Sequence, residues 1–311
     1  MQRSFLCLLL IALCAAGCGG TQLGDASGRL HVVTTTSMLA DLASEIGGEH
    51  VDVTGLMGPG VDPHLYKASA GDVSRMSGAD VILYNGFHLE GKMTDVFGQM
   101  TSRGIPTFAA AEESTPEEAL IESDQFSGNY DPHVWFDISL WQGVAHRTAE
   151  ILIEMDSTHA DEYRRQLDRY LLELEEVDAY VRRRTDEIPA DMRVIVTSHD
   201  AFGYFGRAYG YDVRGLQGIS TAAEAGTADV QELADFVAAR RIPALFVETS
   251  VSPRGIEAVR EAVRARGFQV GIGGTLYGDA LGDPGSPAGS YLGMMRENID
   301  TIVASLTDEP A

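Results

Sequence analysis

Cysteine is nearly absent, and the three present, Cys7, Cys14 and Cys18, all fall within the first eighteen residues. Everything after them lacks both disulfides and thiolates, so any metal held there must be held by nitrogen and oxygen. Basic residues are scarce as well: 23 Lys and Arg stand against 46 Asp and Glu in 311 residues. Phosphate backbones need clustered Lys and Arg, so nucleic acid is excluded as a partner. Long apolar runs are missing too. The stretch from Phe5 to Leu13 falls short of the roughly 18 residues that cross a bilayer, and nothing later reaches that length. No His-Glu-x-x-His segment occurs, which removes the usual helix-borne signature of a zinc hydrolase.

What is present begins with an export signal. Arg3, the short apolar core and the small residues Ala15-Ala16-Gly17 read as a cleavable leader over residues 1–17. The small residues before Cys18 resemble a bacterial lipobox. That resemblance implies a lipid on Cys18, a tether over residues 18–29 and a protein held at the periplasmic or extracellular face of a membrane. Without residues 1–17 the chain carries 22 basic and 46 acidic residues, a net charge of −24. Such a surface favours solubility and weakly concentrates cations, within a screening length of about 8 Å.

From Leu30 onward, short β-like runs alternate with amphipathic stretches. Strands are expected at Leu30–Thr36, Val51–Met57, Val81–Tyr84 and Thr107–Ala109, then at Val194–Thr197, Asp212–Leu216, Ala244–Val247 and Gln269–Ile272. Helices are expected near Met38–Ile46, Ala70–Ser77, Lys92–Thr101 and Ile138–Met155, then near Val230–Arg240, Arg254–Arg266 and Tyr291–Leu306. Strands alternating with helices predict an α/β protein of parallel sheets covered on both faces. Two lobes are expected, over 30–156 and 189–311.

Between them, Tyr163, Leu167, Tyr170, Leu174, Val177 and Val181 recur at spacings of four and three among charged residues. This predicts one long helix over 157–188, with Asp156 or Ser157 as N-cap and an end before Pro189. A dimeric coiled coil is the alternative use of the same pattern, but the repeat is short and a monomer is expected. Residues 112–130 form an acidic stretch with little periodicity, read as a surface loop with at most one short helix.

Four segments concentrate the chemistry: Asp62-Pro63-His64, Asp131-Pro132-His133, Ser198-His199-Asp200 and Tyr277-Gly278-Asp279. Each lies just past an expected strand or at a helix start, and ligands of open α/β sheets bind beyond the carboxyl ends of strands. Three imidazoles, His64, His133 and His199, and the Asp279 carboxylate form a donor set for one divalent transition metal, drawn from both lobes. Proline stiffens each Asp-Pro-His turn, and Asp62 and Asp131 can accept from nearby backbone amides. Glu248, ending a strand, can accept a hydrogen bond from behind a ligand. His31, His50, His146 and His159 read as surface or packing residues. His88, in a loop after a strand, stands closer to the cleft mouth and remains a candidate.

These segments, together with Gly60-Val61, Leu65-Tyr66, Tyr84-Asn85-Gly86, Leu89-Glu90, Val134-Trp135 and Ala201-Phe202, resemble the manganese/zinc receptors of bacterial ABC transporters over essentially the whole mature chain. The resemblance implies two lobes with four-stranded sheets, little hinge motion and delivery of a metal ion to a membrane permease. By matching positions it implies His64, His133, His199 and Asp279 as ligands of Mn²⁺ or Zn²⁺, with Fe²⁺ also compatible. Dedicated zinc receptors often carry a His-rich loop, which is missing here. Its absence points toward manganese as cargo, while Zn²⁺ is expected to bind more tightly in vitro. A zinc hydrolase and a surface adhesin are the competing functions, and the acidic loop could instead contact a metallochaperone.

Overall fold

A computed structural model describes residues 28–122 and 130–307 of the chain. The expected leader, Cys18 and most of the tether lie outside the described residues, as does the middle of the 112–130 stretch.

The first half is a parallel sheet of β1 (Leu30–Thr34), β2 (Val51–Gly55), β3 (Val81–Tyr84) and β4 (Thr107–Ala109), ordered β2-β1-β3-β4. Its helices are α1 (Ser37–Gly47), α2 (Ala70–Ser77), α3 (Thr94–Ser102) and α4 (Ala110–Ser114). Local chemistry sets their starts. The Thr36 hydroxyl accepts from the Leu39 amide at the head of α1, and Ser69 with Asp72 forms a reciprocal capping box on α2. The short α4 opens the acidic stretch, and Glu122 bridges back to Tyr130.

Two long helices follow, α5 (Ile138–Met155) and α6 (Ala160–Thr185), separated by a 3-10 turn at Ser157–His159. At 1.5 Å per residue, α6 is about 39 Å long. Its apolar stripe, Tyr163 to Val181, is buried against α1, α5 and the final helix, α10 (Tyr291–Thr307), of the same chain. A coiled-coil partner would find that stripe already covered. Asp161 and Glu162 in the first turn and Arg182 to Arg184 in the last oppose the helix dipole favourably.

The second half holds β5 (Val194–His199), α7 (Gly203–Tyr209), β6 (Asp212–Gln217), α8 (Thr227–Arg240), β7 (Ala244–Glu248), α9 (Arg254–Ala265), β8 (Gly271–Leu276) and then α10. β5 pairs with β6 and β7 with β8, both parallel, and β5 lies beside β7. The spatial order β6-β5-β7-β8 follows that of the first sheet, but these strands are hydrogen-bonded as two pairs and not as the expected single four-stranded sheet. β8 runs four residues further than its expected end at Ile272. Gly273 and Gly274, past that expected end, sit in the strand at a register shift opposite Leu245 and Phe246. A side chain on Gly273 would strike Ser305 of α10, so glycine serves close packing there.

One apolar core runs through both halves. Trp141 of α5 stacks on Tyr291 of α10, with ring centroids 5.0 Å apart, and donates its indole N–H to Tyr170 of α6 at 3.3 Å. Two side chains of α1 reach across the division: Ser37 Oγ accepts from the Leu281 amide and Asp41 from the Tyr291 amide, both at 2.9 Å. Burying a large apolar side chain is worth about 1.5–3 kcal/mol. Trp135, Trp141, Tyr170 and Tyr291 are all fully buried here, which resists wide relative motion of the lobes.

Candidate metal centre

The two Asp-Pro-His turns are built alike although 69 residues apart. In each, the aspartate Oδ1 accepts the amide N–H of the histidine two residues on, at 2.9 Å, fixing a tight turn whose proline cannot donate. His64 is thereby presented from the loop between β2 and α2. His133 opens a 3-10 turn that leads into α5, and Trp135 of that turn packs edge-on against its ring at 5.1 Å. His199 is the last residue of β5. Asp279 follows β8, where Asn298 of α10 clamps the Tyr277 backbone, accepting from its amide and donating to its carbonyl, both at 2.9 Å.

These four side chains converge. His64 Nε2 lies 3.3 Å from His133 Nε2, while Asp279 Oδ1 is 3.3 Å from His133 Nε2 and Oδ2 is 3.3 Å from His199 Nε2. His64 Nε2 is 3.8 Å from Asp279 Oδ2. One donor atom from each residue fits within 4.8 Å of every other. Donors about 2.1 Å from a tetrahedral centre stand about 3.4 Å apart, so these separations suit one transition metal ion. All four residues are at most 4% exposed. Both Asp279 oxygens, both His199 ring nitrogens and His64 Nδ1 lack an aligned hydrogen-bond partner among the described residues, although Glu248 Oε2 stands at ion-pair distance from His199 Nδ1. Buried polar atoms of that kind are costly unless something satisfies them, and a cation would satisfy the Asp279 oxygens and His199 Nε2.

Behind the donors, two rings are braced. Asp131 Oδ1 lies 2.7 Å from His133 Nδ1, and Glu248 Oε2 lies 2.7 Å from His199 Nδ1, while Glu248 Oε1 accepts the His199 amide at 2.9 Å. A carboxylate on Nδ1 keeps the proton there and turns Nε2 toward the centre. Asp62 does not touch the His64 ring. Its second oxygen accepts instead from the Thr221 hydroxyl of the opposite lobe, at 2.6 Å.

The electrostatics follow this layout. Burial pushes the His64 ring down to about 3, against the pull of Asp279, so it stays neutral. Burial also opposes charge on His133, but the Asp131 and Asp279 carboxylates prevail and hold it up at about 9. Asp279 and Glu248 likewise overcome burial at His199 and raise it well above the usual imidazole range. Burial would raise Asp279, yet the flanking His199 and His133 hold it well below the usual carboxylate range. Without metal, protons on the His133 and His199 rings offset the carboxylates of Asp131, Glu248 and Asp279 around them. A divalent cation would replace them.

His88 stands apart from this cluster, exposed on a left-handed turn with Phe87. His31, His50, His146 and His159 are also outside it. Several positions that the sequence offered only as members of its motif segments, with no role of their own, carry the geometry. Gly278 is one: a Cβ there would come 2.4 Å from Glu248 Oε2, so only glycine lets that carboxylate reach His199. Its carbonyl accepts from the Trp135 indole at 3.1 Å, tying the Asp279 turn to the His133 turn. Asn85 donates to the Pro132 carbonyl at 3.0 Å, and its own amide is held by the buried Glu90 at 2.8 Å. A buried Asn or Gly has no local signature; only tertiary packing assigns these roles.

Comparison with known proteins adds an independent line. A family model described as zinc-uptake complex component A, periplasmic, matches residues 32–305. The zinc-binding protein TroA of Treponema pallidum is 48% identical over 287 residues, 92% of each chain. The solved structure of that protein matches with a TM-score of 0.88, covering 90% of this chain and 100% of that one. The manganese-binding lipoprotein MntA of Bacillus subtilis is 45% identical over 308 residues, covering 98% of this chain and 100% of that one. A manganese ABC transporter substrate-binding lipoprotein, PsaA of Streptococcus anginosus, is 29% identical over 308 residues, covering 97% and 96%. A family match over nearly all the described residues, joined to relatives at this identity and coverage, makes the chain a member of the zinc-uptake component A family of metal-binding ABC transporter receptors.

Proposed function

We propose that this protein captures a divalent transition metal ion outside the cytoplasm and hands it to an ABC transporter permease, with His64, His133, His199 and Asp279 as its ligands. The observation that carries the reading is the convergence of four buried donors from both lobes around one point, with carboxylates behind two of the rings. Zn²⁺ and Mn²⁺ are the cargo ions, and Fe²⁺ fits the same donors. The ion is cargo to be passed on, not a catalytic centre. Asp131 and Glu248 are committed to imidazole nitrogens and Asp62 to Thr221, so none is disposed as a general base.

The lobes at 30–156 and 189–311, joined by a helical rod within 157–188, supply a rigid frame. Residues 1–17 are its leader, and Cys18 carries the lipid that holds a monomer near the permease. The test is calorimetric titration with Zn²⁺ and Mn²⁺. His64→Ala and Asp279→Ala are expected to lose orders of magnitude in affinity while the lobes stay folded. Wild-type affinity in both variants would refute the assignment.

A further inference from the structure

Three of the four donors are held from behind, and His64 is not. Asp131 braces His133, Glu248 braces His199, and the turn carrying Asp279 is pinned by Asn298 and Trp135 on either side. His64 Nδ1 is buried with no hydrogen-bond partner among the described residues and, unlike His199 Nδ1, has no carboxylate at ion-pair distance there. The polar neighbours recorded for its ring are the other donors, His133 at 3.3 Å and Asp279 at 3.8 Å. What fixes His64 is its backbone. Its amide donates to Asp62 Oδ1, and Asp62 Oδ2 accepts from Thr221 in the segment between β6 and α8.

Asp62 therefore bridges a ligand-bearing loop of one lobe to the wall of the other. Thr221 is 7% exposed, so the contact is largely shielded from water, and a hydroxyl-to-carboxylate bond of 2.6 Å is of the strong, charge-assisted kind. Two residues earlier in the same loop, Gly60 (φ +69°) passes so close to the Thr249 carbonyl that a Cβ would lie 3.3 Å from it. The loop is thus seated on the opposite lobe at two places. Among the described residues, the Asp62–Thr221 pair is the hydrogen bond that joins them there.

We infer that Thr221 is a positioning residue for cargo release. Its hydroxyl, acting through Asp62, latches the His64 loop across the cleft, and opening that latch lets His64 leave the ion first. The inference rests on the receptor reading above. It adds the ligand that departs and the residue that restrains it.

The experiment measures Zn²⁺ release by stopped-flow into excess chelator. Thr221→Val removes the hydroxyl at nearly constant volume and is expected to speed release about ten- to a hundredfold, the weight of one hydrogen bond to a charged group. Thr221→Ser is expected to stay within about threefold of wild type, because it keeps the donor. The visible spectrum of bound Co²⁺ should be unchanged in both, since no ligand has been altered. In a His64→Ala background, Thr221→Val should add nothing further. Release at the wild-type rate from Thr221→Val would overturn the inference, as would equally fast release from Thr221→Ser. A shifted Co²⁺ spectrum, or a full additional gain in the His64→Ala background, would also overturn it. If wild-type protein took up no Zn²⁺ at all, the receptor reading would fail instead.

Discussion

Glu248→Gln isolates the charge behind His199. The wild-type carboxylate faces two donors, the His199 amide at Oε1 and the ring Nδ1 at Oε2. Glutamine has one acceptor for the two. If its oxygen stays on the amide, its NH₂ meets Nδ1, and the ring's easiest response is to move its proton to Nε2, the atom that must face the ion. If the amide flips, its NH₂ opposes the backbone N–H. Either arrangement costs a hydrogen bond to a charged partner, about 1.5–3 kcal/mol, or roughly ten- to a hundredfold in Zn²⁺ affinity. The sign with pH is also fixed. Glu248 stabilises the proton that competes with metal at His199 as well as the ring that binds it, so the deficit should be smaller at pH 6 than at pH 8. Gly278→Ala reaches the same pair by crowding Oε2, so the double variant should lose less than the sum of its parts. The assay is competition with a chromophoric chelator at both pH values. Glu248→Gln binding within twofold of wild type at pH 8 would show that His199 needs no carboxylate behind it.

Metal affinity should climb with pH between pH 6 and 8, because His133 (about 9) and His199, raised well above the usual imidazole range, must each lose a proton that Asp279 does not take up. Titration in buffers of different protonation enthalpy counts the protons released, and a count near zero would refute the protonated apo state. For the same reason the apo protein should lose stability as pH rises from 6.5 through about 9: a ring with a raised folded pKa contributes in full below its unfolded value, and that contribution vanishes above its folded one. Saturating Zn²⁺ should remove the decline in melting temperature. Burial raises Asp41 to about 6, so above that pH the charged form weakens the fold. Asp41→Asn keeps an acceptor for the Tyr291 amide and should gain about 1–2 kcal/mol at pH 7 and nothing at pH 4, read by urea unfolding; equal gains at both would exclude charge burial as the cause. Gly215→Ala should cost about 1–3 kcal/mol and weaken metal binding as well, because its Cβ would fall 2.4 Å from the Asp200 backbone nitrogen beside His199. Wild-type values for both would show that β6 can shift without disturbing β5.

The sheets were legible because buried parallel strands such as Val81–Tyr84 and Val194–Thr197 leave short apolar runs bounded by helical periodicity. α7 was not: Gly203–Tyr209 is seven residues long, starts with glycine and buries Tyr204, Phe205 and Tyr209, so no polar face alternates with an apolar one. The end of β8 was misplaced for a related reason, since Gly273 and Gly274 signal a turn unless the approach of α10 is known. At the centre, donor chemistry could be read from residue type and from position beyond strand ends. The carboxylate at Glu248 could be read the same way. Thr221 could not, because a threonine in a Gly-Ile-Ser-Thr-Ala loop has meaning only once Asp62 lies 2.6 Å away.

Unequal bracing bears on which ions the centre accepts. His133 and His199 are fixed by carboxylates, so their two nitrogens and Asp279 set a nearly rigid base. Asp279 turns both oxygens inward, Oδ1 to His133 and Oδ2 to His199, so it can serve through one oxygen or two. Four donors suit Zn²⁺ as a tetrahedron; three nitrogens and two oxygens suit the larger Mn²⁺ or Fe²⁺. His64, held only through its backbone, is the donor free to move with ion radius. A base that admits four or five donors, closed by one adjustable ring, cannot reject Zn²⁺ in favour of Mn²⁺ by shape. In a competition titration the intrinsic order should therefore prevail, with Zn²⁺ displacing Mn²⁺. Mn²⁺ displacing Zn²⁺ at equal concentration would mean that His64 is held as firmly as the other two rings.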